Sequence, residues 1–395
     1  MSYILTFNAG SSSLKLGLYQ STDDLQLVAQ ATVENIGHAP ASFWSMVPSG
    51  EQTPAVSITA RTHDEAMRYL KKWLHQYITS PQDILAVGHR IVHGGSLYYR
   101  ATLISSRVLS DLNDLRDIDP DHMPAALESI AALQSSYPHA PHIACFDTAF
   151  YRDLPPVAQR LPLPRSLHDK GLRRYGFHGL SYGYLLHDFY THEGSVAARG
   201  RIVMAHLGSG SSLCAIKNGK PVDTTMGFTP AGGIPMSTRS GDIDPGVMWY
   251  LHRTIGQSPE QFNTMVNTQS GLLGVSGKTA DMRELLRLQG DNSHAAEAIE
   301  LYCYSITKTI GALSASVGGI DSLIFSGGIG ERSAEIRERI CQNFDYLGIR
   351  LNPARNTANE RLISEDGAPV GVHVIPTDES QMIASETYRV ILGRN

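Results

Sequence analysis

Residues 7–19 read FNAGSSSLKLGLY, and residues 206–219 read HLGSGSSLCAIKNG. Gly10, Ser11 and Ser12 of the first stretch recur 200 positions later as Gly210, Ser211 and Ser212 of the second. In each, an apolar run enters a Gly/Ser turn and a second run leaves it, the pattern of two strands joined by a tight turn. Such a turn can present consecutive backbone N–H groups as a nest for an anion. A chance match between short Gly/Ser strings is the competing explanation, but the flanks match on both sides. The pair therefore predicts a duplicated α/β fold with two phosphate-facing hairpins.

Outward from these stretches, other short apolar runs stop at polar or glycine-rich turns. They are Tyr3–Phe7, Ile84–Val87 before GHR, Ile91–Val92 before HGG, and His142–Phe146 before DTAF. Ile202–Leu207 precedes GSGSS, Leu323–Phe325 precedes SGGIGE, and Val372–Ile375 precedes PTDES. Runs of this kind predict strands buried on both faces. Ligands of open α/β sheets lie beyond the carboxyl ends of the strands, so the turns predict one shared site. Apolar spacing near 3.6 predicts helices over His63–Thr79, Met123–Ser135, Ala295–Ser316 and Glu335–Phe344.

Composition narrows the function classes. A chain of 395 residues suits two or three domains of ~100–200 residues each. Its 33 Lys+Arg against 38 Asp+Glu give a charge of −5 and a pI near 6.3. That balance argues against nucleic acid or an anionic membrane as partner. No apolar run approaches the ~20 residues of a membrane span. MSYILTFNAG has no basic n-region, so no signal peptide is expected. Cys145, Cys214, Cys303 and Cys341 lie far apart without a CxxC, which predicts a reducing cytoplasm rather than a disulfide or zinc framework.

Several familiar motifs fail on inspection. GLLGVSGKT (Gly271–Thr279) lacks the first glycine of a P-loop, Leu272 standing there, and follows no buried strand. GSGSSL (Gly208–Leu213) lacks the third glycine of a dinucleotide fingerprint and leads into a strand. His89 and His93 form HxxxH, but four residues along a strand span ~13 Å, too far to share one ion. GLSYG (Gly179–Gly183) matches a nucleophile elbow only as letters, because RRYGFH before it is no strand.

The polar residues at strand ends are more informative. Arg90 in GHRIVHGG and Arg239 in MSTRSGDIDPG suit a phosphoryl group in transfer, whose charge spreads over its equatorial oxygens. Arg90 also fits a structural ion pair. Asp147 after HIACF and Glu379 after VIPTD could hold Mg²⁺ directly or through water, although a helix N-cap is an alternative, above all for Asp378. His178 in RRYGFHGLSYGY fits either a site or a buried structural histidine.

Taken together, FNAGSSSLK, VGHRIVHGG, FDTAF, RRYGFHGLS, HLGSGSSL, KNGKPVDTTMGFTP, STRSGDIDPG, SGLLGVSGKTADMRE, GGIGERSAEIR and VIPTDES make the chain resemble the acetate/propionate/butyrate kinase family along its whole length. The resemblance implies a duplicated actin-like (ribonuclease H-like) α/β fold, with two domains flanking an active-site cleft. Residues 1–150 plus 383–395 would form one domain and residues 151–382 the other. It also implies a homodimer, small-molecule substrates, and reversible phosphoryl transfer from ATP to a short-chain carboxylate, giving ADP and an acyl phosphate.

The same resemblance assigns roles. Arg90, Asp147, His178 and Arg239 would be catalytic, and Arg90, Val92, Phe177 and Pro230 would bind the acyl substrate. Asn8, Ser11, Ser13 and Lys15 would line the first phosphate hairpin. Lys15, His206, Leu207, Gly208, Ser209, Gly210, Asp281, Met282, Arg283, Gly328, Ile329 and Gly330 would bind ATP or ADP. Asn8 and Glu379 would hold Mg²⁺, or Mn²⁺ in its place. A substrate carboxylate is already ionised at neutral pH, so catalysis would rest on positioning and electrostatics rather than a strong base.

Some positions depart from the family pattern. Ser209 replaces an asparagine of HLGNG, Asp121–His122–Met123–Pro124 stands for LHNP, Gly179–Leu180–Ser181–Tyr182 for GTSH, and Gly330–Glu331–Arg332 for GEN. An unpaired Asp121 beside a substrate carboxylate would repel it. Some divergent members with GLSY- and MSTR-type strings use pyrophosphate and phosphate instead of ATP and ADP, whereas the intact GGIG turn favours a nucleotide. The expectation is a cytoplasmic, Mg²⁺-dependent kinase of acetate. Propionate, a pyrophosphate donor and a non-catalytic actin-fold binding protein are its rivals.

Overall fold

The computed structural model describes residues 1–395 except Ser11, His38, Ala39, Ser49, Gly50, Asp117, Asp121 and Asn395. The expectations for Ser11 and Asp121 thus fall outside the described residues. The chain divides into two units. One comprises Met1–Arg152, Gly179–Tyr184 and Asp378–Asn395, and the other Asp153–His178 and Leu185–Thr377. This differs from the expected boundaries at 150, 151 and 382. A cut after 382 would split the helix Glu379–Ile391, whose Ile383 and Ala384 pack together into cores of the first unit.

The first unit holds β1 (Tyr3–Ala9), β2 (Ser13–Gln20), β3 (Leu27–Glu34), β4 (Ala41–Met46), β5 (Val56–Ile58), β6 (Ile84–Ile91), β7 (Thr102–Leu103) and β8 (His142–Phe146). They form one sheet in the order β5-β4-β3-β2-β1-β6-β8-β7. Strands β1 to β5 pair antiparallel in succession, whereas β6 runs parallel to β1, and β8 to β6. The second unit holds β9 (Arg201–Leu207), β10 (Ser211–Lys217), β11 (Lys220–Thr224), β12 (Ser322–Ser326) and β13 (Gly371–Val374), in the order β11-β10-β9-β12-β13. Here β9, β10 and β11 are antiparallel neighbours, and β12 and β13 run parallel to β9. Without β5 and β4 on one side and β7 on the other, the first sheet reads β3-β2-β1-β6-β8. That is the second sheet, strand for strand, in order and direction. The chain builds one topology twice, as the hairpin echo predicts.

Both faces of each sheet need cover because the strands are nearly continuous in apolar residues. Successive side chains of β1 alternate between faces. Leu5 and Phe7 join the core with Leu70 and Trp73 of the helix His63–Leu74, while Ile4 meets Tyr19 and Ala384 on the other face. Thr62 caps that helix by accepting the Glu65 N–H, a contact worth about 1 kcal/mol. The helix stops at Leu74 rather than Thr79, where the Tyr77 and Ile78 N–H groups both turn back to the Leu74 carbonyl. In the second unit the helix Ser293–Val317 lays Tyr302, Ile306 and Ile310 on the core that contains Val203, Ala205 and Leu207.

Three further details differ from expectation. The two runs around GHR form one strand, β6, and Gly88 serves there as a place of close approach by Ile383 and Thr387 rather than as a turn. GGIGE is the start of a short helix, Gly327–Arg332. The hairpin equivalence is also offset from the letter match. Four residues separate the last pair Ala9–Leu14, but only three separate Leu207–Ser211. The structural counterparts are consequently Asn8 with His206, and Lys15 with Ser212.

Candidate active site

In the first unit, sheet register gathers the polar residues. Arg90 pairs with Cys145 where β6 meets β8, so Asp147, just beyond β8, comes alongside it. On the other flank Phe7 pairs with His89, which brings Asn8 beside Arg90. Glu379 arrives from the first turn of the last helix, where Asp378 rather than Glu379 is the N-cap, accepting the Gln381 N–H at 2.9 Å.

The contacts form a closed set. Arg90 donates to Asp147 Oδ2 through Nε at 3.2 Å and Nη2 at 2.7 Å, and to Asn8 Oδ1 through Nη1 at 3.1 Å. Asn8 Nδ2 donates to Glu379 Oε2 at 2.9 Å, and Glu379 lies 3.7 Å from Arg90 Nη1. Asp147 is fully buried, and its Oδ1 accepts no hydrogen bond. Burial pushes the Asp147 carboxyl above its ordinary value, Arg90 opposes that rise, and the Glu379 charge adds to it. Burial disfavours the Arg90 cation, but Asp147 and Glu379 more than offset this and raise its pKa. Three of the five Arg90 N–H groups are engaged, leaving one on each Nη for a ligand.

Neighbouring segments brace this cluster. Val92 is buried, and the Gly94 N–H donates to Thr148 Oγ1 at 3.0 Å, tying HGG to DTAF. Lys15 pairs with Asn8 across the first hairpin. Gly179 has no room for a side chain, since a Cβ there would strike the Asp147 carbonyl and Phe150. The buried His89 Nε2 meets His142 Nδ1 at 2.8 Å.

The second unit carries its own cluster. His178 takes a left-handed backbone, φ 57°, immediately before the helix that begins at Gly179. Such a conformation in a non-glycine residue is strained and is held by its surroundings. Its Nδ1 lies 2.9 Å from Ser212 Oγ, and its ring stacks on His206 at 4.5 Å. A Cβ on Gly210 would sit 3.0 Å from His178 Nε2 and 3.6 Å from Arg239 Nη1. The bare glycine thus leaves a small space faced by both side chains. Arg239 Nη1 donates to the Pro230 carbonyl at 3.3 Å. Phe177, next to His178 in sequence, and Pro230, whose carbonyl Arg239 meets, are both buried.

The nucleotide candidates divide. Gly208 and the Gly328 N–H are close, and Gly330 packs near Leu207, so the second hairpin and GGIG form one surface. Ser209 offers its carbonyl to the Ser237 N–H at 3.2 Å. Asp281 and Arg283 engage each other at 2.6 Å, with Asp281 also capping the helix Met282–Leu288, and hydrogen bonding from Arg283 lowers the Asp281 pKa. Met282 is buried in the core, so only its backbone could meet a ligand.

Comparison with known proteins decides the class. The profile of the Acetokinase family matches residues 3–385. The chain is 41% identical over 399 residues to an acetate kinase of Rhodopseudomonas palustris, covering 99% of this chain and 98% of the relative. The chain belongs to the acetokinase family. A propionate kinase of Citrobacter rodentium is also 41% identical, over 99% of this chain and 97% of its own. The crystal structure of Porphyromonas gingivalis acetate kinase superposes with a TM-score of 0.87 at 35% identity, covering 99% of this chain and 100% of that one. This acetokinase is accordingly a phosphotransferase whose acceptor is a carboxyl group.

Some of the machinery of this acetokinase carries no obvious letter in its sequence. The string that fails as a P-loop instead braces a turn, because the N–H groups of Ser270, Leu272 and Leu273 hold the carbonyls of Thr238, Met236 and Ser237. Gly271, φ 60°, is required there because a Cβ would strike the Met236 and Arg239 carbonyls. Arg174 ties the segment before His178 to the carbonyls of Thr224 and Thr225. Buried Tyr302 meets Ser211 Oγ at 3.0 Å and steadies the second hairpin. Only contacts in three dimensions reveal these roles.

Proposed function

We propose that this acetokinase transfers the γ-phosphoryl group of ATP directly to acetate, giving acetyl phosphate and ADP. The observation that carries the proposal is Arg90, held on three N–H groups by Asp147 and Asn8 with two left over. An acetate oxygen attacks the γ-phosphorus in line, an O–P bond forms, and the bond to the ADP oxygen breaks. Arg90 binds the acetate carboxylate, and buried Val92 excludes water beside it. Arg239 and His178 meet the equatorial phosphoryl oxygens, whose charge is spread in the transition state. Ser212 orients the imidazole through Nδ1. His206 to Gly210 receive the nucleotide phosphates, and Gly328, Ile329 and Gly330 border the adenosine. Lys15 adds a cation at the first hairpin.

Asn8 and Glu379 would hold Mg²⁺, with Asp147 close by. Among the described residues no three His, Cys, Asp or Glu side chains gather as a ready metal site. The donors nevertheless fit, being hard oxygens that include the unpartnered Asp147 Oδ1, and Mg²⁺ commonly takes one or two carboxylates plus water and substrate phosphate. Bound there, the ion would neutralise phosphate charge.

Propionate is the rival acceptor, because a propionate kinase is as similar to this chain as an acetate kinase is. Trapping acyl phosphate with hydroxylamine tests both, with ATP or pyrophosphate as donor and acetate or propionate as acceptor. ATP with acetate should give the largest kcat/KM, and a dominant pyrophosphate or propionate signal would replace the proposal with that rival.

Among the described residues no helix is long and apolar enough to cross a membrane. All four cysteines are buried thiols outside any disulfide, which supports a cytoplasmic setting. Pairing with a second copy is supported by the helix Gly246–Ile255, where Trp249, Tyr250 and Ile255 are 65%, 64% and 70% exposed. Light scattering of the purified protein checks this, with twice the chain mass expected.

A further inference from the structure

Arg337, in the helix Ala334–Cys341, is the largest fully buried side chain among the described residues. A buried cation ordinarily requires an ionised partner or a complete set of hydrogen bonds. Among the described residues, the titratable neighbour acting on Arg337 is Cys341, whose thiol burial keeps protonated. Burial lowers the Arg337 pKa to about 10, so it is charged at neutral pH.

All five N–H groups end on neutral oxygens. Nε donates to Asn356 Oδ1 at 2.8 Å, and Nη2 to the Asn356 carbonyl at 2.6 Å and Asn359 Oδ1 at 2.7 Å. Nη1 donates to the Gly330 carbonyl at 2.8 Å and the Glu331 carbonyl at 3.0 Å. Asn359 is left-handed, φ 53°, at the point where its side chain serves Arg337. Glu331 completes the brace from the other side, its Oε1 accepting the N–H of Gly327 at 2.9 Å and of Thr377 at 3.2 Å.

A hydrophobic side chain of similar volume would fill this space without burying a charge. What it could not do is hold the Gly330 and Glu331 carbonyls with charge-assisted bonds. We propose that Arg337 is a positioning residue for the nucleotide: without touching it, the guanidinium fixes the backbone of Gly328–Gly330 on which the adenosine rests. This deepens, and rests on, the nucleotide role proposed above for that segment. The strained Asn359 is part of the device.

Two variants test it. Arg337→Lys keeps the charge but supplies three donors from one atom, and so cannot reach acceptors on both sides. Asn359→Gly relaxes the left-handed backbone while removing one acceptor. ADP affinity by calorimetry is measured with KM for ATP and KM for acetate, and thermal melting checks folding. Arg337→Lys should weaken ADP binding and raise KM for ATP by about tenfold while leaving KM for acetate within about twofold. Asn359→Gly should do the same by about threefold with an unchanged melting temperature. Nucleotide constants unchanged in Asn359→Gly and in folded Arg337→Lys, or nucleotide and acetate constants moving by one factor, would overturn the proposal. Should Arg337→Lys fail to fold, Asn359→Gly decides alone. Wild-type protein that binds no ADP would instead overturn the underlying nucleotide assignment.

Discussion

One oxygen of Asp147 accepts both the Nε and the Nη2 hydrogen bonds of Arg90, while its other oxygen stays buried with no hydrogen bond. The guanidinium is thereby fixed in plane, and one end of it remains available to a carboxylate ligand. Asp147→Asn keeps the shape of the side chain but removes the charge that holds the fork. It should lower kcat by about 10²–10³ while the protein remains folded. Steady-state kinetics beside circular dichroism measure this. Activity within a few-fold of wild type would show that Asp147 is merely structural.

Arg239 stands on a turn that the backbone of another segment holds in place. The turn Met236–Arg239 hangs on N–H groups from Ser270, Leu272 and Leu273, with Gly271 fitting beneath it. Arg239→Ala should cost about 10³-fold or more in kcat. Gly271→Ala, which touches no substrate, should cost roughly 10²-fold by displacing that turn. Single-turnover rates of both variants distinguish loss of the charge from its misplacement.

Ser209 stands in the second hairpin where the pattern of the resemblance expects an asparagine. Its backbone carbonyl is engaged by Ser237, so the side chain can be changed without breaking that link. Ser209→Asn should lower KM for ATP by about threefold, since an added amide can donate to a phosphate oxygen. KM for acetate should stay constant.

A buried histidine pair sets an acid limit on stability. Burial first, and then the neighbouring His142, hold His89 well below the ordinary histidine pKa, so it is neutral in the folded protein. In the unfolded chain it titrates near ~6.5. Below that pH the unfolded state binds a proton the folded state does not, and stability falls as pH drops, by up to about 1.4 kcal/mol per pH unit. Urea unfolding at pH 7.5 and 5.5 measures the slope. His89→Gln, which does not titrate, should lose less stability across that interval.

Much of the fold was legible because buried strands ending in Gly/Ser turns are a one-dimensional signal. The duplication was legible for the same reason, but its register was not. Letter matching aligns Gly10 with Gly210, whereas strand pairing aligns Asn8 with His206 and Lys15 with Ser212. Turn length decides which side chains stand at the hairpin end, and a string of small residues does not record it. Arg90, Asp147 and Glu379 stood out beside the ends of apolar runs, and Arg239 in a loop rich in Gly, Pro, Ser and Asp. Gly271 and Gly179 did not, because what limits them is carbonyl groups of segments remote in sequence, and neither did Arg337, whose five acceptors are assembled only by folding.

The central claim is carboxyl phosphorylation coupled to a nucleotide, and ³¹P NMR of the reverse reaction tests it most directly. Purified protein is mixed with acetyl phosphate, ADP and Mg²⁺. Loss of the acetyl phosphate resonance should match, mole for mole, the rise of the ATP β-phosphate resonance. Acetyl phosphate that persists, or that decays only to inorganic phosphate without ATP, would contradict the account.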